Sequence, residues 1–389
     1  MTKLGDICKF QSGGTPSKSN PDFFGGNIPW ITTVALNGGI IDSTNAVDWI
    51  TDKAIQESAA KIVPQNSIMV GTRVGIGKVA INAVPMSTSQ DIISLLDIDT
   101  TSWDKGFLCK FIIGKNEFLL SQARGATIKG IKIDTLSNLQ VPDIPLEEQR
   151  CIAALLDRVS DLIAKRRAQL DRLDLLVKSR FVEMFGDPGS NPMRWDTVEL
   201  SHCLSGIDNG KSLVCDTKPR QGNWPAILKL SAATYGYYQP EENKAMLNEN
   251  EFVNSAEVQT GDLLFTRKNT PELVGMCAYV YETPGKLMMP DLIFRLNTNE
   301  ICNRIFLWKL INHDLFRENI KAISSGSAKS MSNISKERLC ELKIILPPIR
   351  LQQQFVDFVR QTDQSKLTIQ QSLDKLQTLK KALMQQYFG

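Results

Sequence analysis

The chain has 389 residues, 42% of them hydrophobic and 22% charged, with a formal net charge of +3 and a pI near 8.3. That length supports two or three domains with their own cores, and the charge is milder than the basic footprint of an autonomous nucleic-acid binder. No apolar run reaches the about 18 residues that a membrane span needs, and two histidines leave almost no ligands for a zinc site.

Met1 leads through Lys3, Asp6 and Lys9 without an apolar stretch, so no secretory signal is expected. The eight cysteines include no Cys-x-x-Cys pair. They fit reduced thiols and a cytoplasmic protein better than a disulfide framework.

Residues 1–144 mix short apolar runs with dense turn signals such as Gly13-Gly14, Gly25-Gly26 and Asn37-Gly38-Gly39. Runs 68–70 and 79–81 read as strands and 107–113 as a helix. Between the two strands, Gly75-Ile76-Gly77-Lys78-Val79-Ala80 fits Gly-x-Gly-x-x-Ala. A dinucleotide site needs a helix starting at those glycines. Here an apolar stretch and Pro85 follow, so the reading is a hairpin.

Residues 145–186 carry the clearest element. Leu156, Ile163, Leu170, Val177 and Met184 recur every seven residues. Ile152, Val159 and Leu173 form a second row, interrupted by Arg166. This predicts an amphipathic helix sustained for several heptads. Pro145 suits its start, and Gly186 with Pro188 its stop. At 1.5 Å per residue it is a rod of roughly 60 Å.

Residues 187–347 repeat the mixed character, with strands at 263–265 and 278–280 and a helix at 305–311. Residues 348–389 then return the rod. Gln149 recurs as Gln352, Leu173 as Leu376, Leu176 as Leu379 and Phe185 as Phe388, all at a constant offset of 203. Phe355, Thr362, Ile369, Leu376 and Leu383 form one row there. Val359, Leu373 and Tyr387 form part of another, broken by Lys366 and Lys380. A repeat this widely spaced means duplicated units rather than a solenoid. Two such helices most simply bury their stripes against each other in a coiled coil. Leu156, Ile163, Leu170, Leu173, Leu176, Phe355, Ile369, Leu373, Leu376 and Leu383 are the seam or docking candidates. The alternative is that each rod packs on its own head.

The heads echo each other more faintly, at offsets from 196 to 203. Arg73 follows run 68–70 as Arg267 follows 263–265, and Asp91-Ile92-Ile93 resembles Asp291-Leu292-Ile293. Neither head carries a Gly-x-Ser-x-Gly elbow, a phosphate loop or a paired His/carboxylate cluster. Asn191-Pro192-Met193, the nearest approach to an adenine methyltransferase motif, lies in the linker after the first rod.

What remains is positive charge among small polar residues. In the first head the candidates for DNA binding are Gly14, Thr15, Lys18, Arg73, Lys78, Ser89, Gln90, Arg124 and Lys129. In the second they are Lys211, Arg267, Lys268, Ser325 and Lys329. Arginine reads guanine edges and glutamine adenine, while Ser, Thr, Lys and loop amides hold phosphates. The competing role for Arg73 and Arg267 is structural, through a pair with Asp91 or Asp291.

Two dissimilar heads alternating with two similar helices resemble the specificity subunit of type I restriction–modification enzymes. The junctions Pro145-Leu146-Glu147-Glu148-Gln149 and Pro348-Ile349-Arg350-Leu351-Gln352 carry the resemblance. So do Gly261-Asp262-Leu263-Leu264-Phe265 and the Phe-Gly that closes each rod. Arg350 and Leu351 depart from the two acids of the first junction.

The resemblance implies an α+β fold with a pseudo-twofold internal repeat. It implies target recognition domains at 1–144 and 187–347, and conserved helices at 145–186 and 348–389 forming an antiparallel coiled coil. It implies a non-catalytic subunit without cofactor or metal, reading a bipartite site in double-stranded DNA. Its implied partners are two modification (methyltransferase) subunits and the restriction (motor/nuclease) subunits, with no membrane. A two-headed protein scaffold without DNA readout, or an enzyme of unrecognised motif, are the alternatives.

Overall fold

The computed structural model describes residues 1–125, 129–326 and 331–389. It divides into two compact units, Met1–Ala168 with Gln370–Gly389, and Gln169–Ile369. Each contains one head and a part of both long helices.

In the first unit, four of the five strands of one sheet, β1 (Lys9–Ser12), β2 (Ile68–Gly71), β3 (Val79–Asn82) and β4 (Ile92–Leu96), lie in the order β1-β4-β2-β3. All these neighbours are antiparallel. Side chains alternate faces along a strand, and here both faces are covered. Ile68, Val70, Val79, Ile93 and Leu95 join one core cluster, while Met69, Ala80 and Ile92 join another. That is why the strands read as unbroken apolar runs. The turn between β2 and β3 is the expected hairpin, with Gly75 at φ +72° and Gly77 at φ +75°.

Helix α1 (Lys105–Gly114) covers the first face. Its Phe107 and Phe111 meet Phe388 with ring centroids 5.3 and 6.0 Å apart. Helix α2 (Leu146–Phe185) contributes Ile152, Ala153 and Leu156 to the same cluster.

The second unit repeats this plan. Strands β5 (Leu204–Asn209), β6 (Leu263–Thr266), β7 (Cys277–Tyr279) and β8 (Ile293–Thr298) lie in the order β5-β8-β6-β7. Leu263, Phe265, Phe294 and Leu296 face one cluster, and Leu264, Ala278 and Ile293 the other. Helix α3 (Arg304–Ile311) takes the place of α1, and helix α4 (Ile349–Phe388) is the second rod. In this unit Phe181 and Phe185 of α2 pack on Phe355 of α4 at 5.4 and 5.5 Å, and on Phe306 of α3 at 5.7 and 5.1 Å.

Each rod is fastened to its head by the repeated glutamine. Gln149 and Gln352 are 1% and 0% exposed. The Gln149 carbonyl accepts from the Asp104 amide at 2.9 Å, and its NH2 donates to Ser102 O at 3.0 Å and Ile144 O at 2.9 Å. Gln352 does the same with the Asn303 amide at 2.8 Å, Ile301 O at 3.0 Å and Pro347 O at 2.8 Å. Asp104 and Asn303 are in turn the N-caps of α1 and α3.

The polar breaks in the stripes have partners. In the second unit Lys366 of α4 pairs with Asp174 of α2, and reaches Asp363 at 3.6 Å. Asp174 meets Lys366 and Phe181 meets Phe355, so the two segments run antiparallel within this unit. Thr362 is 6% exposed and its hydroxyl donates to Phe358 O at 2.9 Å. Beside this group Lys309 lies over the Trp308 ring, 3.4 Å from its centroid. Burial pushes its ammonium down to about 8, against the opposing pull of Asp363.

Among the seam candidates Leu156, Ile163, Phe355 and Leu373 are buried, and Leu170, Leu173, Ile369, Leu376 and Leu383 are half-buried. Leu176 is 47% exposed, which among its two expected roles disfavours a buried seam place and leaves docking. At about 100° per residue, Val177 takes the inward place that follows Leu173. Val177 is 4% exposed. Leu379, the repeat of Leu176, is likewise 46% exposed.

Candidate nucleic-acid interface

The matching sheets align the two heads more securely than the sequence does. Val70 pairs with Ile93 as Phe265 pairs with Phe294, and Gly71 with Ile92 as Thr266 with Ile293. The amide of Ile131 bonds Thr72 O at 2.8 Å, and that of Ile334 bonds Arg267 O at 2.8 Å. Arg267 therefore stands where Thr72 does, and Arg73 corresponds to Lys268. The sequence pairing of Arg73 with Arg267 is one residue out, as is that of Asp91 with Asp291. Arg73 stands three residues past Val70 but Arg267 only two past Phe265, so matching by residue type misplaces them.

In the first head several backbone segments meet at one end of the sheet. Gly14 N donates to Thr88 O at 2.9 Å, Thr72 N to Asp91 O at 2.8 Å, and Arg124 and Gly130 exchange bonds at 3.0 and 2.9 Å. A Cβ on Gly130 would sit 3.0 Å from Arg73 Cγ. This brings Thr15, Arg73, Gln90, Arg124 and Lys129 to one edge, all exposed. Lys78 is exposed beside the hairpin turn, and Lys18 is exposed on the segment that follows Gly14.

Two residues of the expected set are corrected. Gly14 is buried, and a Cβ there would lie 2.0 Å from Ala59 O. Its amide is already committed to Thr88, so the glycine serves close backbone approach rather than phosphate binding. Ser89 is 5% exposed, with a buried hydroxyl unpartnered among the described residues.

The second head builds the same edge with other side chains. Lys211 N donates to Met289 O at 2.9 Å, Asp291 N to Lys211 O at 3.1 Å, and Arg267 N to Leu292 O at 3.0 Å. Ser325 and Asn333 exchange bonds at 2.8 Å, and Asn269 pairs with Ser332. Lys211, Lys268 and Ser325 are exposed. Lys329 lies outside the described residues.

The two arginines differ. Arg73 is half exposed and 3.7 Å from Asp91, a distance at which the pair holds it loosely. Arg267 is half-buried. It donates to Asn333 Oδ1 at 3.3 Å and stacks over Phe294, 5.1 Å from the centroid. Its predicted partner Asp291 is not the one it uses. Asn333 was missed in the sequence, because only the pairing of segments 268–269 and 332–333 brings it to Arg267. No group of three or more His, Cys, Asp or Glu among the described residues is placed to hold a metal ion. No helix described is long and apolar enough to cross a membrane.

The profile of the type I restriction modification DNA specificity domain matches this chain twice, over residues 1–172 and 213–381. The MjaIX specificity subunit of Methanocaldococcus jannaschii is 31% identical over 188 residues, 48% of this chain and 44% of the relative. The EcoEI specificity subunit of Escherichia coli is 30% identical over 191 residues, 47% of this chain and 32% of the relative. The chain thus spans less than half the length of these two relatives. The M. jannaschii MjaVIII specificity subunit is 23% identical over 420 residues, covering 99% of this chain and 90% of the relative.

Two solved structures share the fold across the whole chain. One is the type I restriction-modification S subunit from M. genitalium, with a TM-score of 0.59 and 16% identity, covering 95% of that structure. The other, from work on complex assembly and conformational transition of the type I R-M system, has a TM-score of 0.60 and 19% identity, covering 96%.

Proposed function

This chain belongs to the type I restriction–modification DNA specificity family, and we propose that it selects the DNA target of such a system. Each head reads one half of a bipartite site in double-stranded DNA. One observation carries this: the heads share strand order and edge geometry but place different side chains there. Thr72 in the first head corresponds to Arg267 in the second, Arg73 to Lys268, and Arg124 to Ser325. A shared frame with different contact residues is what reading two different half-sites requires.

Arg73, Lys78, Gln90, Arg124 and Lys129 serve the first half-site, with Thr15 and Lys18 on phosphates. Lys211, Arg267, Lys268, Ser325 and Lys329 serve the second. The two helices continue as an antiparallel coiled coil and fix the spacer between half-sites. Leu176 and Leu379, identical and exposed at matching places, fit docking of two copies of one partner, the modification subunit. Catalysis then belongs to the modification and restriction subunits, and this chain needs no cofactor.

The test is to co-express the chain with a type I modification subunit from its own organism and map N6-methyladenine across the genome. A motif of two short half-sites around a fixed spacer, lost when this chain is omitted, is the result expected. Methylation unchanged without this chain would defeat the proposal. Duplex binding by the purified chain should also weaken steeply with salt.

A further inference from the structure

The second unit holds a cleft of about 310 Å³ that DNA reading does not use. It opens where β8 ends and α3 begins, beside the first turns of α4. Its lining includes Tyr279, Asn299, Cys302, Asn303, Arg304 and Arg360. Asp104 and Asn303 are matching N-caps, so Cys302 corresponds to Trp103. Trp103 is 9% exposed. The first head fills this place with an indole, and the second leaves room beside a thiol.

Two guanidinium groups face a space lined, among the described residues, by one carboxylate, that of Glu300. Arg304 donates to Gly261 O at 2.9 Å, and a guanidinium has five donors. Among the described residues neither arginine has a carboxylate oxygen within 4.0 Å. The lining therefore sets two guanidinium groups against the one carboxylate of Glu300, with Asp262 interacting with Arg304, a net positive charge in a planar, fork-like form suited to a carboxylate.

Its position argues against DNA. The basic edge lies at the Ile293 end of β8 and the cleft at the Thr298 end. At about 3.3 Å per residue these ends are roughly 17 Å apart. The surroundings argue for protein. Ile349 lines the cleft and is 46% exposed; Leu367, on the same helix, is 53% exposed. They are five turns apart at 3.6 residues per turn, and Arg360 lies within about 20° of the same line. Arginine flanked by exposed aliphatic side chains is the composition of a protein interface.

We propose that this cleft receives an acidic side chain of a partner polypeptide, the copy of the modification subunit that docks on the second unit, with Ile349 and Leu367 as apolar contacts on either side. This rests on the docking reading above and adds the site and its chemistry.

The experiment measures the affinity of the full chain for the purified modification subunit. Wild type, Arg360→Glu and Leu367→Asp are compared, with melting curves to confirm folding. Arg360 and Leu367 are exposed, so both variants should fold. Arg360→Glu should bind at least ten-fold more weakly, with the difference shrinking as salt rises, and Leu367→Asp several-fold more weakly at any salt. Assembly of Arg360→Glu at wild-type affinity would overturn the proposal. So would unchanged assembly together with weaker duplex binding by the isolated chain, which would assign the cleft to phosphate. Failure of wild type itself to assemble would remove the docking reading, and this proposal with it.

Discussion

Replacing Gln352 by leucine should destabilise the second unit by about 3–5 kcal/mol. The side chain is 0% exposed and serves three main-chain groups, the Asn303 amide and the carbonyls of Ile301 and Pro347. Leucine fills similar space but bonds none of them. With each of the three main-chain groups costing about 1.3–2 kcal/mol, inside the usual range, and the added apolar burial returning roughly 1 kcal/mol, the sum is about 3–5 kcal/mol. With a urea slope of about 2 kcal/mol/M, the unfolding midpoint of this unit should fall by roughly 2 M. Hydrogen exchange read by peptide mass spectrometry follows each unit separately. Peptides of Gln169–Ile369 should lose protection at lower urea, while those of Met1–Ala168 keep theirs. Gln149→Leu should do the reverse. Gln353→Leu, altering an exposed neighbour that donates to Asp357 and accepts from Asn303 Nδ2 at 3.3 Å, should change stability by less than about 0.5 kcal/mol. A midpoint shift for Gln352→Leu as small as that of Gln353→Leu would refute the latch.

Lys309 gives a pH signature. Its folded value of about 8 lies below the ordinary 10.5, so the unfolded chain holds more protons between these values. This group's contribution to stability should therefore rise with pH across that window, by on the order of 1–3 kcal/mol. Lys309→Met should remove the rise, seen as a gap to wild type that changes between pH 7.5 and 10 in urea unfolding; a constant gap would contradict the burial argument. Arg73→Ala should leave stability within about 0.5 kcal/mol and lower methylation of sites through one half-site, by roughly 5–150-fold if it makes a good base contact. Arg267→Ala should affect the other half-site and also cost about 1 kcal/mol through the lost Asn333 and Phe294 contacts. An unaltered methylation motif with either variant would show that the residue does not read DNA. Inserting one helical turn after Arg166 should lengthen the spacer and leave both half-sites unchanged; a methylome with the original spacer would remove the ruler.

The long helices were legible because period and repeat coincide: a stripe every seven residues, twice, at one fixed offset. The hairpin at Gly75–Gly77 was legible because an apolar run followed by Pro85 cannot start a dinucleotide helix. The edge of each head was less so. Gly14 looked like a phosphate loop, and only the approach of Ala59 within 2.0 Å of a notional Cβ shows why glycine stands there. Arg73 and Arg267 looked equivalent because both are arginines just beyond matching apolar strands, although one stands three residues past Val70 and the other two past Phe265. Leu176 satisfied a broad apolar stripe, yet one residue later Val177 fits the seam better. The cleft beside Cys302 had no sequence signal, since a thiol matters there only by being smaller than Trp103.

The two glutamine latches have one further property. Among the described residues Gln149 and Gln352 bond to main-chain atoms of the heads and to no head side chain. Every head sequence that keeps the local backbone path offers those same atoms. The attachment is therefore blind to what the head recognises. A head rewritten at most positions, or exchanged for one of separate ancestry, could be fastened by the same glutamine without change to either helix. In such a molecule recognition is free to drift quickly while the mounting stays constant, and variety in targets costs the framework nothing.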